Sequence, residues 1–229
     1  MTTSVFVTGT DTGCGKTRVS AGLLEALSLS GLTVTGMKPV ATGATRSNDL
    51  LVHEDVRALV AASNVALPRR YVNPYLFVPP CSPNIAAQMT GARIELATIL
   101  DAYQACAARV DAVVVEGVGG WCVPLADDFL VEDLARALAL PVLMVVGVRL
   151  GCISQALLTA RAIIDAGLTL LGWVANVVDP ATLEIEQVIA TMTRHIDAPR
   201  LAVLEFAPGA SSASLAPRLR PVSELLRAH

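Results

Sequence analysis

Short apolar runs rich in β-branched residues recur along the chain, separated by stretches with helical periodicity. The runs at 5–8, 33–37, 112–115, 142–148, 170–175 and 201–204 predict strands. The intervening stretches 16–29, 49–62, 94–109, 131–139, 154–166 and 183–195 predict helices. Strands that are apolar throughout, rather than on alternate positions, are buried on both faces, so the alternation predicts an α/β fold with a mainly parallel sheet flanked by helices. Ligands in such sheets lie beyond the carboxyl ends of the strands. The segment 71–83 holds prolines at 74, 79, 80 and 83 and predicts a loop or lid. The stretch 207–221, rich in Ala, Ser and Pro, predicts a second irregular segment. With no internal repeat and no charge block, 1–229 reads as one domain.

Composition sharpens this picture. Hydrophobic residues make up 53% of the chain and charged residues 16%, and the mean hydropathy is +0.57, which raises the question of a membrane. The longest apolar run, 137–148, contains Pro141 and Gly147 and falls short of the roughly 20 residues a span requires. It reads as a helix end, a turn and a buried strand. No basic region precedes the first apolar stretch, so the expected location is cytoplasmic, with no membrane partner. A net charge of -3 without a basic run argues against nucleic acid. The cysteines at 14, 81, 106, 122 and 152 form no CxxC pair and have no histidine at metal-ligand spacing, so they are expected to be free thiols.

The candidate chemistry begins at "VTGTDTGCGKT", residues 7–17, where a strand leads through a glycine-rich loop into a helix. Unpaired backbone N–H groups at a helix N-terminus converge on an anion, and the helix dipole favours negative charge there. In this reading Thr12, Gly13, Cys14 and Gly15 form the nucleotide loop, Lys16 reaches the β- and γ-phosphates, and Thr17 offers its hydroxyl to Mg²⁺. The domain is thus of the P-loop NTPase type. Five residues rather than the usual four separate Gly9 from the Gly15-Lys16 pair. Glu116 opens "EGVGG" at a strand's carboxyl end, and Asp49 opens a predicted helix, so both are candidate Mg²⁺ ligands. Their bland alternatives are a solvated strand-end carboxylate and a helix N-cap. Lys38, in "GMKPVATG", follows the second strand; two lysines facing one phosphate point to phosphoryl transfer rather than nucleotide storage.

The ordered set "VTGTDTGCGKT", "MKPVATG", "ND" at 48 and 49, "VNPYLF", "VVEGVGGW", "VGVRLGCI" and "GWVANVV" resembles the dethiobiotin synthetase family over about residues 3–178. The five-residue gap in the loop is the form that family uses. The resemblance implies an ATP- and Mg²⁺-dependent cyclo-ligase that joins CO₂ (as bicarbonate in solution) to 7,8-diaminopelargonate, closing the ureido ring of dethiobiotin through a carbamate and a carbamic–phosphoric anhydride, with release of ADP and phosphate. It implies that Thr12, Lys16 and Lys38 contact the carbamate and γ-phosphate, and that Thr17, Asp49 and Glu116 surround Mg²⁺. Thr42, Gly119 and Gly120 would lie against the diamine, and Asn176 would bond the adenine; taken alone, an Asn after a strand is a turn residue. Gly151, Cys152, Ile153 and Ser154 would receive the substrate's far carboxylate from a second subunit, so the family implies a homodimer with the active site at its interface. Ser154 and Val188 depart from the residues the family commonly places there.

A rival reading is a partner-regulated P-loop switch ATPase. Such proteins place a lysine five residues before the Gly-Lys lysine, and that position here is Asp11. His53 and His195 suggest no catalytic role. Trp121 either covers the glycine loop or fills core, with packing favoured, and Cys14 reads as an inert small residue within the loop.

Overall fold

The computed structural model describes residues 3–48 and 50–228. In chain order the elements are β1 (Thr3–Gly9), α1 (Lys16–Leu29), β2 (Val34–Met37), β3 (Val40–Thr42), β4 (Thr45–Ser47), β5 (Leu50–Val52), α2 (Glu54–Ala62), α3 (Arg69–Val72), β6 (Tyr75–Phe77), α4 (Pro83–Met89) and α5 (Leu96–Ala107). They continue as β7 (Ala112–Glu116), α6 (Val131–Leu138), β8 (Val142–Val148), α7 (Cys152–Asp165), β9 (Leu170–Val177), α8 (Ile185–His195), β10 (Arg200–Leu204) and α9 (Ser212–Ala228). The main sheet has the order β10-β9-β8-β1-β7-β2 with every pairing parallel. The six predicted strands are its six strands.

Period-two alternation divides the core. On β1, Val5 and Val7 face the cluster built with α1, α2 and α9, while Phe6 faces the cluster built with α5 to α8. The same alternation separates Ala112 and Val114 from Val113 and Val115 on β7. Burial on both faces accounts for the apolar composition without a membrane. Among the described residues no helix is long and apolar enough to cross one.

Three expectations are corrected. The helix predicted at 49–62 begins only at Glu54, because Leu50-Leu51-Val52 prefers to pair antiparallel with 45–47, and His53 caps the helix by accepting the Asp55 N–H at 3.2 Å. The predicted loop 71–83 takes in the end of α3, β6, which pairs in parallel with β3, and the start of α4, so only 73–74 and 78–82 are irregular. The irregular stretch 207–221 lies largely within α9 despite Pro217 and Pro221. Burial of Leu215, Leu219, Val222 and Leu226 on one face of α9 outweighs the lost backbone bonds. Gly22 of α1 makes room for that packing: a Cβ there would stand 2.7 Å from Leu219 and 2.9 Å from Leu215.

Candidate active site

β1 lies inside the sheet between β8 and β7, and the loop that follows it opens where the strand order reverses. Gly13 and Gly15 adopt left-handed φ values of 80° and 94°, which turn the backbone into the first turn of α1. Gly15 is required twice over, since a Cβ would also fall 2.0 Å from Asn176 Nδ2. Cys14 points away from the ligand side into the core beneath Gly9, where burial pushes its thiol up. That matches the inert reading of this residue, and all five cysteines are free.

A cavity of about 760 Å³ lies beside the loop, lined by Thr12, Gly13, Gly15, Lys16, Thr17, Lys38, Thr42, Val118 and Gly119, with 80–83 along one wall. The structure thus gathers residues from three separate motifs at one sheet edge. Lys16 is buried and donates to the carbonyls of Asp11 at 2.9 Å and Gly119 at 2.5 Å. Burial lowers its pKa, as does the Lys38 charge; with two backbone carbonyls and the Cys14 sulfur at 4.0 Å as its contacts, its ammonium gains from an incoming anion.

Lys38 is also buried, and it donates to Glu116 Oε1 at 2.6 Å and pairs with Asp55 Oδ2 at 2.9 Å. Burial alone would lower its pKa, but the two carboxylates outweigh that and raise it. Burial opposes ionisation of Asp55 likewise; the Lys38 charge and hydrogen bonds from Lys38 and Thr17 prevail and hold it below the usual carboxylate value. Thr17 Oγ1 donates to Glu116 Oε1 at 2.8 Å. Asn73, in "VNPYLF", steadies the cluster from behind by donating to the Lys38 carbonyl at 2.7 Å and the Tyr75 carbonyl at 3.0 Å.

The donor set fits Mg²⁺. Glu116 Oε2 is buried and has no partner among the described residues, and it stands with the Thr17 hydroxyl and the Asp55 carboxylate, all hard oxygen donors. Lys16, Lys38, Glu116 and Asp55 cancel in charge, so a triphosphate entering here brings a negative excess that a divalent cation would neutralise.

Asp55 was not singled out from sequence, and His53 was given no role. His53 Nε2 donates to the Thr42 carbonyl at 3.0 Å while Nδ1 accepts from the Asp55 backbone N–H at 3.2 Å, which ties the turn at Thr42 to the start of α2. The available signal was "HED" at 53–55, an acidic helix start shortly after the Lys38 turn. Asp49, the carboxylate expected there, lies outside the described residues.

The remaining expected residues fall around the loop's margins. A Cβ on Gly120 would approach the Thr10 carbonyl at 3.4 Å, so this glycine lies against the phosphate loop. Trp121 is buried edge-on to Phe6, with ring centroids 6.5 Å apart, which is the packing role. Asn176 touches the loop from the other side, donating to the Cys14 carbonyl at 2.9 Å. Gly151 caps α7 with φ 93°, and Cys152, Ile153 and Ser154 form its first turn; none of these four lines the cavity of their own chain.

Comparison with known proteins agrees with this geometry. A family model described as an AAA domain matches residues 3–214. ATP-dependent dethiobiotin synthetase of Aromatoleum aromaticum is 47% identical, over 94% of this chain and 96% of its own length. The protein of the same name from Nitrosospira multiformis is 46% identical, over 88% and 87%. Among solved structures, the MinD cell division protein of Aquifex aeolicus superposes with a TM-score of 0.57 at 13% identity, covering 99% of this chain and 97% of its own, and a ParA family ATPase of Chlorobium tepidum with 0.55 at 15%, covering 97% and 96%. At such identities these two show the shared P-loop fold alone, whereas the length and level of the sequence matches place this chain in the ATP-dependent dethiobiotin synthetase family.

Proposed function

We propose that this chain is the ATP- and Mg²⁺-dependent cyclo-ligase that closes the ureido ring of dethiobiotin from 7,8-diaminopelargonate and CO₂. The observation that carries the reading is the convergence of Lys16, Lys38, Thr17 and Asp55 on a single cavity beside the phosphate loop, with the buried Glu116 bonded to both Lys38 and Thr17. A carbamate is a weak nucleophile toward an anionic phosphate, so both anions need neutralising and aligning. Lys16 binds the γ-phosphate, exchanging backbone carbonyls for phosphate oxygens. Lys38 bridges the γ-phosphate and the carbamate, and its two carboxylates keep it cationic. Thr12 and Thr42, which both line the cavity, orient the reacting end, and Gly119 and Gly120 let it lie against backbone. Thr17, Glu116 and Asp55 would hold Mg²⁺, which supplies charge neutralisation for the transferred phosphoryl group. The second amine then closes the ring on the carbamic–phosphoric anhydride as phosphate leaves.

A homodimer completes the site in this reading. Supporting it, Leu150 is 97% exposed and Leu158 63% exposed on and beside α7, an apolar surface that a second copy would cover. The 151–154 turn would then serve the neighbour's cavity.

ADP release measured with ATP, Mg²⁺ and bicarbonate, with and without the diamine, tests the proposal when paired with mass detection of product. Diamine-dependent ADP matched by dethiobiotin is expected. ATP hydrolysis indifferent to the diamine, with no product, would favour the switch ATPase instead.

A further inference from the structure

Lys38 and Glu116 follow strands on one side of β1, and Asn176 ends a strand on the other. A nucleotide with its γ-phosphate at Lys38 therefore extends its base toward Asn176. There the structure holds a residue that neither the loop motif nor the family resemblance singled out. Arg18, in the first turn of α1, donates from Nη1 to Asn176 Oδ1 at 2.7 Å. Its Nε is buried without a partner, and among the described residues its guanidinium has no carboxylate within ion-pairing distance.

The orientation of the Asn176 amide follows from its neighbours. The Cys14 carbonyl can only accept and Arg18 can only donate, so Nδ2 faces the loop and Oδ1 faces the guanidinium. The amide oxygen that would receive an adenine amino group is thereby shared with a cation. What remains around it is an excess of N–H donors: the other Asn176 amide hydrogen and the unused guanidinium hydrogens. Adenine would set its 6-amino donor against these donors. A 6-oxopurine offers two acceptors, O6 and N7, the pair that arginine engages with two parallel bonds.

We propose that Arg18 is a specificity-determining residue that admits 6-oxopurine nucleoside triphosphates to this site alongside ATP. The inference rests on the nucleotide-dependent ligase reading above, but its test does not. Binding of ATP, ITP and GTP is measured by titration calorimetry without the diamine, for the wild type, Arg18→Met and Arg18→Lys. ITP isolates the 6-oxo group from the guanine amino group. The wild-type dissociation constant for ITP is expected within about tenfold of that for ATP, and Arg18→Met should weaken ITP relative to ATP by about tenfold or more. Arg18→Lys, which keeps the charge but not the paired donors, should shift the ratio part of the way. If Arg18→Met fails to fold, an unchanged ratio in Arg18→Lys overturns the proposal. So does a wild type that binds no ITP, or an Arg18→Met that weakens both nucleotides equally. A ratio shift in a chain that makes no dethiobiotin would refute the ligase reading and keep the role of Arg18; product formation with an unchanged ratio would do the reverse.

Discussion

The two flanks of the phosphate loop handle charge differently. On the Lys38 side, a buried ammonium meets two carboxylates, at 2.6 and 2.9 Å, and the Gly117 carbonyl at 3.0 Å, and the nearer carboxylate also accepts from the Thr17 hydroxyl. On the Asn176 side, one guanidinium meets only a neutral amide. The first arrangement is internally compensated and so can stay buried before any ligand arrives. The second is uncompensated among the described residues; in the reading proposed above, a nucleotide base completes it, so that the Lys38 flank serves charge and the Asn176 flank hydrogen-bond selection.

This contrast can be broken most severely at Glu116. Glu116→Ala would leave Lys38 buried with the half-buried Asp55 as its one carboxylate and the Gly117 carbonyl at 3.0 Å, and unfolding in denaturant should show a loss of about 3–5 kcal/mol along with turnover. Next, Lys16→Ala should keep the fold and lower kcat by about 10²- to 10³-fold in the diamine-dependent assay, because its partners are two carbonyls and a sulfur, with no carboxylate left unpaired by its loss. Asp55→Asn should raise the Mg²⁺ concentration for half-maximal turnover by about ten- to hundredfold, with Asp49→Asn as the comparison that tests the carboxylate expected from sequence. Asp55 also confers a pH dependence. Its folded pKa is depressed, so its contribution is complete above the ordinary value of 3.8 and is lost as pH falls through the folded value. Acid unfolding of Asp55→Asn should lack that component. The smallest effect belongs to Arg149→Gln, which removes an ion pair with Asp11 whose side chains are 40% and 23% exposed. It should cost about 1 kcal/mol or less in thermal unfolding, and less still in high salt.

Legibility differed between the same two flanks. "GCGKT", Lys38 and Glu116 could be read because each ends or follows an apolar strand, and a strand end identifies the sheet edge without knowledge of the partners. Asp55 could not, because a ribbon at 45–47 and 50–52 stands where a helix was expected and delays the helix to Glu54. Two prolines concealed α9, whose stability comes from contact with α1 rather than from local preference.

By itself the sequence determined the six strands of the main sheet, the glycine-rich loop after the first of them and the parallel class of that sheet, since each follows from patterns a few residues long; the small pairings of β3 with β6 and β4 with β5 it did not reveal. Tertiary structure decided which groups meet: Thr17 with Glu116 across 99 positions, Lys38 with Glu116 across 78, and Arg18 with Asn176 across 158. Local periodicity specifies which face of an element is apolar, but strand order and helix packing specify which polar ends converge.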